Sequence, residues 1–377
     1  GLYDSLIVVI PSLDLVVARA GKSFAGDWEG SHYEKLHGFL RPLVKATGSP
    51  LPPSPVIREM SWAPPETIVR KAKGGDNWPL TWTADDALFT AYGDGWGFEP
   101  HIEPKLSLGF SKVTGGPADY EGVNVRSETG EQTGQGAKGK KASGMLMVDG
   151  VLYMAVRNAR NAQIAWSEDG GIEWEWAGWR FETSFGAPSF LNFGKDYAGA
   201  RDGYVYLFSQ DADSAYEGAD RLVLARAPKE RLKEKEAWEY FLGLEGGAAR
   251  WSTDAGERAG VLENPGRIYR SSVSYNAGLE RYMACVILPE EDTRFEGGFA
   301  VYDAPEPWGP WTTAYYAEEW DVGPGETCHF PTKWMSEDGK TVHMVSVSYT
   351  HLRAHETYLL ISYAVFCLKR GGGGGGG

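Results

Sequence analysis

From residue 58 onward, apolar residues recur at every second position in short runs, and each run follows a turn rich in Asp, Gly or Asn. Five stretches share this form: TWTADDALFTAYGDG (81–95), GMLMVDGVLYMAVRNA (144–159), GARDGYVYLFSQDA (199–212), VSYNAGLERYMACVI (273–287) and KWMSEDGKTVHMVSV (333–347). Alternation of period two around a tight turn predicts a two-stranded hairpin in each. A third alternating run follows four of them, in LSLGFSKV, AQIAWSEDG, RLVLARAPKE and GFAVYDAPE; the fifth hairpin lacks one. Units of this size, repeating at intervals of roughly 50 to 75 residues, predict propeller blades. Radial repetition protects sheet edges and leaves a central channel whose rim gathers loops from every blade. The expected fold is an all-β, five-bladed β-propeller over residues 58–347, with its last blade truncated.

The two ends break the pattern. YDSLIVVIPSLDLVVARAG reads as two apolar strands interrupted at Pro11, and YEKLHGFLRPLVKA (33–46) has the spacing of an amphipathic helix. Residues 1–46 are too few to bury a core of their own. They resemble the C-terminal end of the β-lactamase-like serine hydrolases, without that family's Ser-x-x-Lys motif, which implies a fragment of an upstream domain with no catalysis to carry over. TGSPLPPSPVI (47–57) is a proline-rich, extended linker. Residues 348–377 end in seven glycines, Gly371 to Gly377, and resemble translated sequencing-adapter read-through. They are therefore set outside the domain, and their apolar stretch TYLLISYAVFCL is shorter than the about 20 residues a membrane span needs.

Within the repeats, SEDGGIEW (Ser167 to Trp174) fits Ser-x-Asp-x-Gly-x-x-Trp and resembles the Asp box of sialidase-type propellers, a turn-forming device. APKERLKEKEAWEYF (227–241) reads as a short solvated helix in blade three.

Composition narrows the partner. The net charge of −14 argues against nucleic acid or an anionic membrane, whose binding needs clustered Lys and Arg. A neutral or weakly charged polymer suits it better. Three cysteines, Cys285, Cys328 and Cys367, allow one bridge at most and have no metal-ligand spacing. No metal or other cofactor is expected.

Candidate chemistry follows from aligning the repeats on their turns. Nine residues on from Asp85, Asp149 and Asp202 stand Asp94, Asn158 and Asp211, a carboxylate, an amide and a carboxylate at one depth in three neighbouring blades. Asp76 precedes the first strand of its hairpin and Asp94 ends the second, so antiparallel pairing brings both to one end of blade one. Two such carboxylates can divide glycosidic cleavage between a proton donor and an ionised group. Both also lie beside glycine, where aspartate commonly makes turns. Asp211 is the reserve acid. Trp78 and Trp96 offer flat faces to sugar rings, whereas alternation assigns Trp82 to the core. Arg270 and Asn276 in YRSSVSYN, Glu263 in ENPGRIYR and His329 in GETCHFP are further candidates for the rim, His329 also fitting a buried structural histidine. The loop GEQTGQGAKGKKASG (130–144) lacks a phosphate loop's Gly-Lys-Ser/Thr ending and reads as a surface insertion.

Taken together, GDNWPLTWTADD, YGDGWGF, LARAPKERLKEKEAWEYF, RSSVSYNAGLERYM and DAPEPWGPWT resemble domain-of-unknown-function family 4185 over about residues 60–347. Some members of that family are classed as glycoside hydrolase family 183, five-bladed propellers that cleave D-arabinan chains. The resemblance implies Asp76 and Asp94 as the matching acids, a polysaccharide partner, and secretion or a periplasmic location. A glycan-binding propeller without turnover is the alternative, and a scaffold for an upstream hydrolase a third reading.

Overall fold

This computed structural model describes residues 6–10, 15–19, 48–72, 75–134, 136–157, 161–290, 297–318, 325–349 and 359–370. Five blades follow one another around a channel, each built outward from an inner strand, and blades three and four are joined into one sheet. Blade one comprises Asp76–Trp82, Leu88–Gly93, Gly109–Thr114 and Glu121–Val125. Blade two comprises Lys141–Val148, Val151–Arg157, Ala162–Ser167 and Glu175–Trp176. Blade three runs through Ser189–Asn192, Tyr204–Gln210, Ala219–Pro228, Glu239–Glu245 and Ala248–Ser252, with Gly260–Ile268 also on its third strand. Blade four comprises Ser271–Asn276, Arg281–Pro289, Gly297–Ala304 and Thr312–Ala317. The inner strands of blades three and four pair in parallel, Leu191 opposite Val273.

Three of the predicted hairpins, at 81–95, 144–159 and 273–287, fall on the first two strands of their blades, whereas 199–212 and 333–347 hold only the second strand, the inner strands Ser189–Asn192 and Gly325–His329 lying upstream of them. The second strands are more deeply buried than alternation implies. Every residue of Leu88–Gly93 is buried, as are all but the first of Val151–Arg157 and Tyr204–Gln210. Neighbouring blades cover both faces of these strands, so both faces are apolar. The outer strands Glu121–Val125 and Thr312–Ala317 have no buried position. The core accordingly lies between blades. Trp78, Leu88 and Tyr92 of blade one meet Val345 and Val347 of blade five, and Phe89 and Phe110 meet Met145 and Met154 of blade two. Met283 and Val301 of blade four meet Val342 and Met344 of blade five. A disulfide between Cys285 and Cys328, Cα atoms 6.1 Å apart, crosses that last interface.

Blade five departs from expectation. Its strands are Gly325–His329, Thr341–Tyr349, Leu359–Arg370 and, closing the ring from the other end of the chain, Ile57–Trp62. The third position, left empty by the sequence reading, is occupied by part of the segment that was set outside the domain. Leu359–Arg370 pairs with Thr341–Tyr349 on one side and Ile57–Trp62 on the other, supplying backbone partners to two strands that would otherwise present open edges. The proline-rich segment is extended as expected, but it is docked: Ser54 N donates to Thr313 O (2.8 Å) and Thr313 N to Pro52 O (2.7 Å). Leu6–Ile10 and Leu15–Arg19 form the two strands predicted around Pro11, and the helix read over 33–46 lies outside the described residues.

Two local readings are resolved. Residues 227–241 form no α-helix: Lys229–Arg231 and Lys235–Ala237 are single 3-10 turns, because Trp238 is drawn into the core against Phe181 (5.6 Å). The Asp-box motif is a turn, with Asp169 accepting from Ile172 N (3.1 Å) and Glu173 N (3.0 Å), and Ser167 Oγ from Gly171 N (2.9 Å).

Candidate active site

All five inner strands line the central channel, which narrows to a cavity of about 20 Å³ bordered by Thr81, Ser143, Ser189, Ser272, Ser274 and His329. That is room for about one water molecule, so no larger ligand fits inside the channel at this point. At one mouth the inner strand of blade one begins. There Asp76, 5% exposed, pairs with Gly93, the residue before Asp94, so both acids stand at one end of the hairpin. Asp76 lies across Gly93 so closely that a Cβ there would stand 2.1 Å from Asp76 Oδ1 and 2.6 Å from Asn77 Nδ2. Only glycine fits under that carboxylate.

The backbone at this point is unusual. Asn77 (φ 68°), Trp78 (φ 53°) and Asp94 (φ 43°) are left-handed, and the register slips between Asn77 and Leu80. Such residues cost on the order of 1–3 kcal/mol each and persist where the surroundings hold them; the bulge re-aims the side chains. Asn77 is held from three blades. Its Nδ2 donates to Asp76 Oδ1, and its Oδ1 accepts from Arg157 Nη2 of blade two (2.7 Å). From blade five, Thr327 Oγ1 (2.6 Å) and His329 Nε2 (3.2 Å) donate to its carbonyl.

Blade two contributes two deeply buried cations. Lys141 and Arg157, 2% and 1% exposed, face each other in the strand register. Lys141 Nζ forms an ion pair with Asp94 Oδ1. A buried ammonium is tolerated only with such a partner, so Lys141 and Asp94 position one another.

The predicted residues divide into two groups. Asp76, Asp94, Arg270 and His329 gather at this mouth. Arg270, 5% exposed, donates from Nε to Ala215 O (3.2 Å) and lies 5.5 Å from the ring centre of Tyr216, which bonds Arg157. Trp78 does not serve as a platform. The left-handed step at Asn77 and Trp78 turns its ring inward, where it is 1% exposed against Tyr92 (5.4 Å) and Phe98 (5.6 Å). Trp96 is half-buried in a separate groove with Arg70, Phe98 and His101. Asn276 is fully buried at the far end of its strand, donating to Gly339 O (2.8 Å) and accepting from Leu279 N (3.1 Å), so it ties down a turn. Glu263 is exposed on Gly260–Ile268, opposite Arg221. Asp211 follows its second strand as Asp94 does, but carries its own cations, Arg221 (2.7 Å) and Arg258. Burial raises its pKa, while bonds from Arg221, Ser184 and Arg258 outweigh that and hold it below the ordinary carboxylate value. It clamps the blade-three loop. Asn158 lies outside the described residues.

Asn77, Lys141, Arg157 and Thr327 escaped the sequence reading. The repeat alignment held a signal for two of them: Lys141 opens its inner strand as Asp76 does, and Arg157 ends its second strand as Gly93 does. Among the described residues, no group of three or more His, Cys, Asp or Glu is placed to hold a metal ion.

Burial pushes the His329 imidazole down to about 4, against the opposing effect of its bond to Asn77 O. An unfolded histidine titrates near 6.5, so between about pH 4 and 6.5 the unfolded chain binds the extra proton. This contribution to stability is complete above about pH 6.5 and is lost as the pH falls toward 4, by up to about 3 kcal/mol. Urea unfolding at about pH 7 and about pH 4.5 should show a smaller pH difference in His329→Gln than in the wild type; equal differences would remove His329 as the cause.

The family model described as "Domain of unknown function (DUF4185)" matches residues 140–357. No curated protein matches the sequence. Among solved structures, the chain is similar to an α-L-arabinofuranosidase from Podospora anserina in complex with cellotriose, at 11% identity and TM-score 0.45, covering 84% of this chain and 98% of that one. It is also similar to the catalytic domain of a GH62 α-L-arabinofuranosidase from Coprinopsis cinerea, at 10% identity and TM-score 0.44, covering 82% and 98%. A GH43_1 enzyme from Xanthomonas citri is similar at 15% identity and TM-score 0.47, covering 79% and 90%.

Proposed function

We propose, from the premise that the chain belongs to the DUF4185 family, that it is a glycoside hydrolase cleaving a polysaccharide at the blade-one mouth of the channel. The observation that supports this reading is the pairing of Asp76 with Gly93, the residue before Asp94, at a strained point where Asn77 is held from three blades. We assign Asp94, faced by the Lys141 ammonium, the ionised role of base or nucleophile, and Asp76, oriented by the Asn77 amide, the role of proton donor to the leaving oxygen. Neither step needs a cofactor. The resemblance to arabinan-cleaving family members favours a furanose polymer as substrate. The buried Cys285–Cys328 bridge supports an oxidising compartment, hence a secreted or periplasmic enzyme. An upstream serine-hydrolase-like domain rests on the pattern of residues 1–46 alone.

The test is reducing-end release from arabinan, arabinoxylan and other plant and bacterial polysaccharides. Release from one class identifies hydrolase and substrate together; binding without release would instead favour the glycan-binding module. Gly93→Ala offers a local check. The added methyl displaces Asp76 and Asn77, so turnover should fall about 100-fold, the cost of moving a reacting group by about 1 Å. Overpacking this buried point should also lower stability by about 1–3 kcal/mol, so turnover is read on the folded protein, and unchanged turnover would detach Asp76 from the chemistry.

A further inference from the structure

Among the described residues, this mouth gathers acids and cations, while Trp78 is buried and Trp96 lies in another groove, so neither predicted tryptophan offers a face to a sugar ring there. We propose that Tyr216 is the sugar-binding platform of this mouth, stacking one ring of the polysaccharide beside the cleavage point. The inference rests on the glycosidase reading for its ligand class and on independent geometry for its place.

Tyr216 is 43% exposed, directly after the buried Ser214 and Ala215 and before the exposed Glu217 and Gly218. Leaving an aromatic ring in water forgoes the gain of burying it, and a mobile loop would leave it little value as a platform. This loop is tethered on both sides of the ring. Gln210 Nε2 donates to Glu217 O (2.8 Å), and Arg270 Nε to Ala215 O (3.2 Å). The ring itself is fixed by two guanidiniums, Arg157 at 5.4 Å and Arg270 at 5.5 Å from its centre, with Arg157 Nη1 donating to its hydroxyl (3.3 Å). Exposure combined with this much fixation is what a preorganised contact surface requires.

Its position is set by the same arginine. Arg157 bonds Tyr216 with one nitrogen and Asn77 Oδ1 with the other (2.7 Å), and Asn77 Nδ2 bonds Asp76. One guanidinium therefore separates the phenol from the amide that orients a carboxylate. A flat apolar face with a polar edge at that spacing suits the C–H face of a neutral sugar with hydroxyls at its rim. Blade three thus supplies binding to acids that blade one supplies.

The alternative role, a lid that merely shields Arg157 and Arg270, is separated by two variants. In affinity electrophoresis through linear arabinan, arabinoxylan and xyloglucan, at least one polymer should retard the wild type. Tyr216→Ala should lose about tenfold in affinity and Tyr216→Phe should keep most of it, because the ring and not the hydroxyl carries the contact. Where turnover is measurable, KM should rise by about the same factor with kcat within about twofold. Equal retardation of Tyr216→Ala and wild type overturns the platform. So do equal losses in Ala and Phe, or no retardation of the folded wild type by any polymer. A ring-dependent retardation without reducing-end release keeps the platform and rejects the hydrolase.

Discussion

Asp94→Asn should reduce polysaccharide hydrolysis by about 1000-fold or more, the usual range for loss of a positioned acid–base group. The substitution is well matched to its site. Asp94 has φ 43°, a left-handed conformation that Asn adopts readily, so the backbone is spared and only the charge is lost. A second effect accompanies the first. Lys141, 2% exposed, loses the carboxylate that pairs with it, and an uncompensated buried charge costs about 3–5 kcal/mol. Lys141→Met in the same protein removes that charge and should restore much of the stability while leaving turnover absent. Denaturant unfolding and reducing-end assays on the single and double variants read the two effects apart. Full activity in the double variant would sink the role of Asp94 and return it to a turn residue.

Removing the Cys285–Cys328 bridge should cost about 4 kcal/mol by the chain-entropy account, for residues 43 apart in sequence. The bond crosses from the second strand of blade four to the inner strand of blade five, an interface otherwise held by packing of Met283 and Val301 on Val342 and Met344. Without it, the blade that contains both chain-end strands is anchored by contacts alone. Cys285→Ala/Cys328→Ala should therefore unfold at a lower urea concentration, with a slope equal to or steeper than that of the wild type because the uncrosslinked denatured chain exposes more surface. Both sulfurs are buried, at 0% and 2% exposure, so the native wild type should resist mild reductant. An unchanged midpoint in the double variant would show that the bridge adds nothing to the packed interface.

The blade pattern was legible because its cause is local. A turn such as VDG between alternating runs specifies a hairpin, as at 144–159, and the recurrence of such a turn ahead of an apolar run marks the repeat. Asp76 and Asp94 were legible for the same reason, since pairing within one hairpin decides that they share an end. Trp78 misled because its orientation depends on a bulge, and nothing in GDNWP announces two successive left-handed residues. Lys141 was hidden in a loop of three lysines and several glycines whose exposed members look the same in sequence. Its burial follows from beginning a strand that another blade covers. Asp211 shared a repeat position with Asp94, yet Arg221 and Arg258 reach it from other strands and change its role.

The sequence by itself determined the second strand of every blade, the third strand of four, the repeat they form, and the acids at one end of the first hairpin, all products of short-range periodicity and turn chemistry. Only the tertiary structure decided which blade faces which, that Leu359–Arg370 and Ile57–Trp62 together complete the last sheet, and that Arg157, Thr327 and His329 converge on Asn77. Those contacts join residues far apart in the chain, 252 positions for His329 and Asn77 and more for Arg370 and Ile57. They depend on ring closure, a property of the whole chain that no local pattern encodes.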